Sequence, residues 1–226
     1  MINEPVELTL KAQKTRRHIL DTALSLFVTQ GYDATTMREI AIAADCSLGL
    51  TYRYFARKEE LVLAVYWQMA SETGVQIEKL PSISVAERFY KLMIIRLDQA
   101  TQYREAFRAL FAAAMNPESG VNILGTSAAT MRDQVRSDFT RLVSEASDSP
   151  SSDITADVTT LLYSLHFGVI LFWLYDRNSE PRTTHELLLF IRDMLKVARP
   201  ALRLPGVRQA IGRLAAIIER SFFGEW

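Results

Sequence analysis

The groups best suited to chemistry at a surface lie in one stretch of this 226-residue chain, between Thr36 and Lys58. Thr51, Tyr52 and Tyr54 offer hydroxyls within four positions, and Lys58 adds a cation. Donors and charge of this kind grip phosphate oxygens and do not break bonds. No catalytic set competes with them. His18, His166 and His185 lie far apart without metal-ligand spacing, and Cys46 is the only cysteine. Neither a glycine loop for phosphate nor a nucleophile elbow occurs, and the Glu-x-x-His repeats of helical metal proteins are missing. An enzyme is therefore disfavoured, and no metal or cofactor is called for.

Two short helices must position these groups. Thr36 and Glu39 form a Thr-x-x-Glu capping box, and Met37, Ile40, Ala41 and Ala44 follow at helical spacing. The turn Ala44 to Ser47 ends that helix, and Ser47 caps the next. Gly49 lacks a side chain where a second helix comes close to another backbone. Phe55 and Cys46 read as anchors facing the core. A helix-turn-helix over about 36–55 would lay its second helix in the DNA major groove. Any two short capped helices share this pattern, so the flanks matter. Upstream, Ile19, Leu20, Ala23, Leu26 and Phe27 form one stripe closed by Gly31; downstream, residues 59 to about 80 form another amphipathic helix. Residues 11–58 hold eight Lys/Arg against four acids, a local excess of four in a chain of net charge zero.

These residues resemble the TetR/AcrR family of bacterial transcriptional regulators. The likeness runs in register over roughly residues 10–75, through Thr15 to Phe27, Gly31-Tyr32, Thr36 to Ala41, Ser47-x-Gly-x-x-Tyr-x-Tyr-Phe55 and Lys58 to Leu61. It implies that Thr36, Tyr52, Tyr54 and Lys58 contact phosphate. It also implies that Arg38 and Ser47, Leu48, Gly49, Leu50 and Thr51 lie at or near base edges. Two positions depart from the family: Arg57 stands where a capping serine is common, and Leu48 and Leu50 leave the reader poor in hydrogen-bonding groups. Thymine methyl contacts and DNA shape would then carry more of the specificity.

The remainder is helical with few strand signals, which makes the fold class all-α. The resemblance implies a three-helix DNA-binding domain (13–73) that follows a flexible arm (1–12) and precedes a helical effector-binding and dimerisation domain (74–226). Capping boxes at Ser84/Glu87 and Thr183/Glu186 open helices; residues 116–120 form a loop and 147–153 a linker. Helices are expected at about 103–115, 124–146, 154–176, 184–199 and 206–223. The longest apolar run, about Leu161 to Tyr175, is interrupted by Ser164, His166 and Gly168 and reads as a buried helix, not a membrane span. With no signal peptide and a single cysteine, a cytoplasmic location is expected.

Leu162, Leu165, Val169 and Phe172, with Leu187, Ile191, Met194 and Leu195, spread over most sides of two helices. Core packing and packing against a second copy both account for them. In the family the corresponding helices build a four-helix dimer interface, which implies a homodimer and a palindromic operator. The final helix either extends that interface or caps the core. The resemblance also implies an effector pocket among helices 84–176. Its polar candidates are Arg96, Tyr103, Arg108, Tyr163 and His166, and its apolar candidates Trp67, Met93, Phe111 and Trp173. Each has an ordinary structural reading as core or as a satisfied interior group. Their mix suits a mostly apolar small molecule with one or two polar anchors. The function implied is a repressor released by that ligand; an activator, or a regulator answering to a protein partner, shares the same fold.

Overall fold

The computed structural model describes residues 9–114, 129–176 and 182–223. Among these the regular elements are helical: α1 (Leu10–Gln30), α2 (Met37–Ala43), α3 (Leu48–Tyr54), α4 (Lys58–Glu78), α5 (Val85–Ala100), α6 (Arg104–Ala114), α7 (Ala129–Ser144), α8 (Ser152–Tyr175), α9 (Arg182–Ala198) and α10 (Pro205–Ile218). The chain divides into two compact units. The first holds the described residues up to Trp67 together with 102–114, and the second holds Gln68–Thr101 and the described residues from Ala129 onward. Helix α6 thus belongs with the N-terminal helices, where Phe107 meets Tyr66 edge-on at 6.3 Å. The sequence suggested a single boundary near residue 73.

In the first unit, α1 buries Ile19, Leu20, Ala23 and Phe27, and stops at Gly31, whose φ of 89° is open to glycine. Met37, Ile40 and Ala41 of α2 and Phe55 complete that core. The turn between α2 and α3 is a Schellman motif: Cys46 N–H donates to Ala41 O (2.9 Å) and Asp45 N–H to Ile42 O (3.1 Å). Asp45 takes the left-handed position with φ 50°, which aspartate tolerates better than most residues. Glu60 supplies what Arg57 cannot at the head of α4, because its carboxylate accepts Ala56 N–H at 2.7 Å.

In the second unit, buried Arg88 joins the end of α4 to α7. It donates to Leu80 O, Pro81 O and Leu142 O at 2.9–3.1 Å and pairs with Glu145 at 2.9 Å. Two expected capping boxes are corrected here. Ser84 does cap Glu87 N–H (3.3 Å), but the Glu87 carboxylate turns to Lys196 and Arg192 of α9. Helix α9 begins at Arg182, inside the expected Thr183 cap. Asp176, just past α8, instead accepts from the backbone (3.0 Å) and hydroxyl (2.8 Å) of buried Thr184. The 147–153 segment is tied down through Asp148, which accepts Val85 N–H at 2.7 Å. The predicted loop at 116–120 and the first residues of the helix predicted from 124 lie outside the described residues.

Helix α8 is long and apolar enough to cross a membrane, more so than the interrupted run suggested. Half of its most apolar stretch is buried in the unit, including Leu162, Tyr163, Val169 and Trp173, so ordinary core packing accounts for its composition.

Candidate nucleic-acid interface and interior polar cluster

Helices α2 and α3 are each fixed by one hydroxyl. Thr36 Oγ1 accepts Glu39 N–H at 3.2 Å, while Glu39 accepts the Thr36 amide at 2.7 Å and its hydroxyl at 2.9 Å. Those bonds hold the Glu39 carboxyl below its ordinary pKa. Ser47 caps α3 through Leu50 N–H at 3.2 Å. Tyr52, at 48 % exposure, stands outward, and Tyr54 is partly exposed. Arg38 and Arg53 are exposed without a hydrogen bond or ion pair among the described residues. Arg53 is missing from the contacts inferred from sequence, although it lies between the two tyrosines.

Three expectations change. Thr51 is fully buried and its hydroxyl donates back to Ser47 O (3.2 Å), so it offers nothing at the surface of α3. Gly49 is exposed, and a Cβ there would meet no protein atom within 4 Å; no second backbone presses on it. Cys46 is only half-buried. Leu48 and Leu50 are partly exposed. Lys58 is held in place: its ammonium donates to Tyr32 O at 2.8 Å and sits 4.3 Å from the Tyr32 ring centroid. Tyr32 in turn donates its hydroxyl to Glu59 (3.2 Å), and burial with that carboxylate pushes the phenol well up from its ordinary pKa. Across the unit Arg16 lies 4.7 Å from the Phe55 ring centroid, a second cation over an aromatic face that spacing alone did not reveal.

The nine effector candidates do not form one group. Trp67, Tyr103, Arg108 and Phe111 belong to the first unit, and Arg108 pairs with Glu105 at 2.9 Å on a partly exposed face. Met93, Arg96, Tyr163, His166 and Trp173 are all buried in the second unit. There His166 stacks on Tyr163 with ring centroids 5.3 Å apart and touches Phe139 and Phe167. Its Nδ1 donates to Tyr163 O at 2.6 Å, which leaves Nε2 as a bare, enclosed acceptor. Burial and the nearby charge of Arg96 hold His166 well below its ordinary pKa, so the ring is neutral.

The interface candidates also divide. Leu162, Val169 and Ile191 are buried within their own unit and are corrected to core positions. Phe172 and Met194 are exposed, and Leu165, Leu187 and Leu195 are partly so. The apolar surface of α8 and α9 is instead continued by Tyr175, Phe190 and Val197, the last two 60 % and 71 % exposed.

A helix-turn-helix on the first unit, with exposed hydroxyls and cations along it, has the make-up of a DNA-binding element. Residues 19–65 match the family described as "Bacterial regulatory proteins, tetR family". The HTH-type transcriptional repressor KstR of Rhodococcus jostii (strain RHA1) is 28 % identical over 195 residues, covering 84 % of this chain and 87 % of that protein. The HTH-type transcriptional regulator AcrR of Shigella flexneri is 40 % identical over 68 residues, 30 % of this chain and 31 % of that one. Among solved structures, Thermus thermophilus FadR, a TetR-family repressor in complex with lauroyl-CoA, superposes with a TM-score of 0.61 at 21 % identity, over 78 % of this chain and 92 % of that one. Residues 19–65 thus carry the DNA-binding domain of the TetR family of bacterial transcriptional regulators. The relatives that align with most of the chain are transcriptional repressors, not enzymes.

Proposed function

We propose that the protein acts in the cytoplasm as a homodimeric repressor that binds a palindromic operator and leaves it when a small, mostly apolar ligand enters the C-terminal domain. The observation that carries the DNA half is the outer side of α2 and α3. Thr36, Arg38, Ser47, Gly49, Tyr52 and Arg53 are all exposed there, on helices whose ends are already capped. Tyr52, Tyr54 and Lys58 take phosphate, joined by Thr36 once its hydroxyl turns from Glu39, and Arg38 with Ser47 to Leu50 faces base edges. Repressors among its sequence relatives support the sign of regulation. The exposed apolar residues Phe172, Tyr175, Phe190, Met194 and Val197 support a self-complementary interface, which spaces two readers for a two-fold site.

The effector domain is the part built from about residue 74 onward. Its buried polar residues among aromatic rings favour an apolar ligand with few polar anchors. Release then requires that the ligand prefer a conformation unable to span the operator. The test is a gel-shift titration of DNA from the promoter region of the protein's own gene at low salt. A retarded palindromic fragment is expected, with retention weakened in Tyr52→Phe on all sequences alike; no retarded fragment would overturn the reading.

A further inference from the structure

Helix α5 carries two buried arginines, and only one is satisfied. Arg88, 1 % exposed, has its nitrogens engaged by three carbonyls and Glu145. Arg96, two turns later and 7 % exposed, makes no hydrogen bond or ion pair among the described residues. The little surface it keeps is at its guanidinium, since none of its nitrogens is a wholly enclosed orphan. Burying most of such a group without a direct hydrogen bond or ion pair is costly, because its donors are left to what little water reaches them.

The buried acid whose charge acts with Arg96 does not bond to it. Asp138 of α7 is buried close enough to Arg96 for their charges to interact. Its carboxylate, however, is drawn to the side of α4. Both oxygens lie 3.1 Å from where a Cβ on Gly74 would be, and one oxygen accepts from Gln134 at 3.3 Å. Glycine at 74 is what leaves room for that placement. Two further groups nearby have unused capacity. The Gln99 side-chain oxygen, one turn beyond Arg96 on the same helix, is enclosed without a donor, as is His166 Nε2. His166 is neutral, so the cluster presents one cation only.

We propose that Arg96 is the anchor for a single carboxylate borne on an otherwise apolar effector, and that binding opens space beside Met93, Phe139 and Tyr163, which are enclosed by protein in this structure. A guanidinium takes a carboxylate through two parallel bonds, which fits the open fork of Arg96 and fixes the orientation of the ligand. The inference rests on the ligand-responsive reading above and names the class of ligand.

The test uses matched probes on the full-length protein: dodecanoate, 4-phenylbutanoate and 1-pyrenebutanoate, each beside its primary carboxamide. Thermal shift and release of bound operator DNA are read for the wild type, Arg96→Met and Arg96→Lys. At least one acid is expected to act at concentrations tenfold or more below its amide. Arg96→Met should erase that preference and Arg96→Lys retain part of it. Without ligand, Arg96→Met should melt a few degrees higher, because an unpaired interior charge is gone. Amides as effective as acids, or a preference that survives Arg96→Met, overturn the carboxylate anchor while leaving ligand response intact. If no probe acts on the wild type, the ligand-responsive reading falls and this inference with it. A melting point lowered by Arg96→Met marks the arginine as structural and also overturns the anchor.

Discussion

A hydroxyl on a reading helix can face nucleic acid or its own backbone, and Thr51 does the second. Ser47 and Thr51 are four residues apart, so one helical turn brings the Thr51 hydroxyl to the Ser47 carbonyl. Thr51→Val should therefore leave operator affinity nearly unchanged, while Tyr52→Phe weakens it several-fold, as fluorescence anisotropy with labelled operator would show. Side-chain types and local caps were legible from sequence: Thr36 and Ser47 do what their spacing predicts. The burial of Thr51 was not, because a seven-residue helix has too few apolar positions to declare which side faces the core. Interior titration is likewise visible only in three dimensions. His166 is held well below 6.5 in the fold by burial and Arg96, whereas the unfolded chain takes a proton near that value. Stability from this residue is thus complete above about pH 6.5 and falls as pH drops below it. Asp138, raised above 3.8 by burial, acts with opposite sign in the acid range: its contribution is present at low pH and lost on raising pH through its folded value. Melting curves should decline below about pH 6.5, and His166→Gln should flatten that decline.

Element ends show where sequence logic stops. The Thr36/Glu39 box forms in full because both partners belong to one turn and no cation bonds to the Glu39 carboxylate among the described residues. At Ser84 the same pattern forms only by half, since Lys196 and Arg192 draw Glu87 away. Long-range partners of this kind leave no mark in local spacing. The start of α9 repeats the lesson, with the capping carboxylate supplied by Asp176 from eight residues upstream. The turn between α2 and α3 was legible as a break but not as a Schellman motif with aspartate in the left-handed position. Asp45→Gly should stabilise the protein by up to about 1 kcal/mol, and Asp45→Val should destabilise it by about 1–2 kcal/mol. Both are measurable as shifts in melting temperature, and neither should alter far-UV circular dichroism.

For the whole molecule, the all-helical class and the presence of an N-terminal reading unit were legible because periodicity and caps agree across most of the chain. The membership of α6 in the first unit was not, since it depends on contacts such as Tyr66 with Phe107 across about forty residues. Nor was the outward side of α8 and α9. Both helices are apolar on most sides, and only packing sorts Val169 and Ile191 inward from Phe190 and Val197. Phe190→Glu should convert the proposed dimer to monomer, read by light scattering after size exclusion. Operator binding should weaken at least tenfold, because each reader then acts alone.

The partly exposed Leu48 and Leu50, flanking a Gly49 with open space before it, set the energetic character of the reader. An interface that covers leucine side chains sheds ordered water, while each ion displaced from DNA adds to the steepness of salt dependence. Operator binding should therefore show a pronounced negative heat-capacity change in calorimetry. Replacing both leucines with serine should shrink that change and leave the salt slope where the phosphate contacts put it. Temperature, more than ionic strength, would then decide how sharply this regulator separates its own operator from the rest of the chromosome.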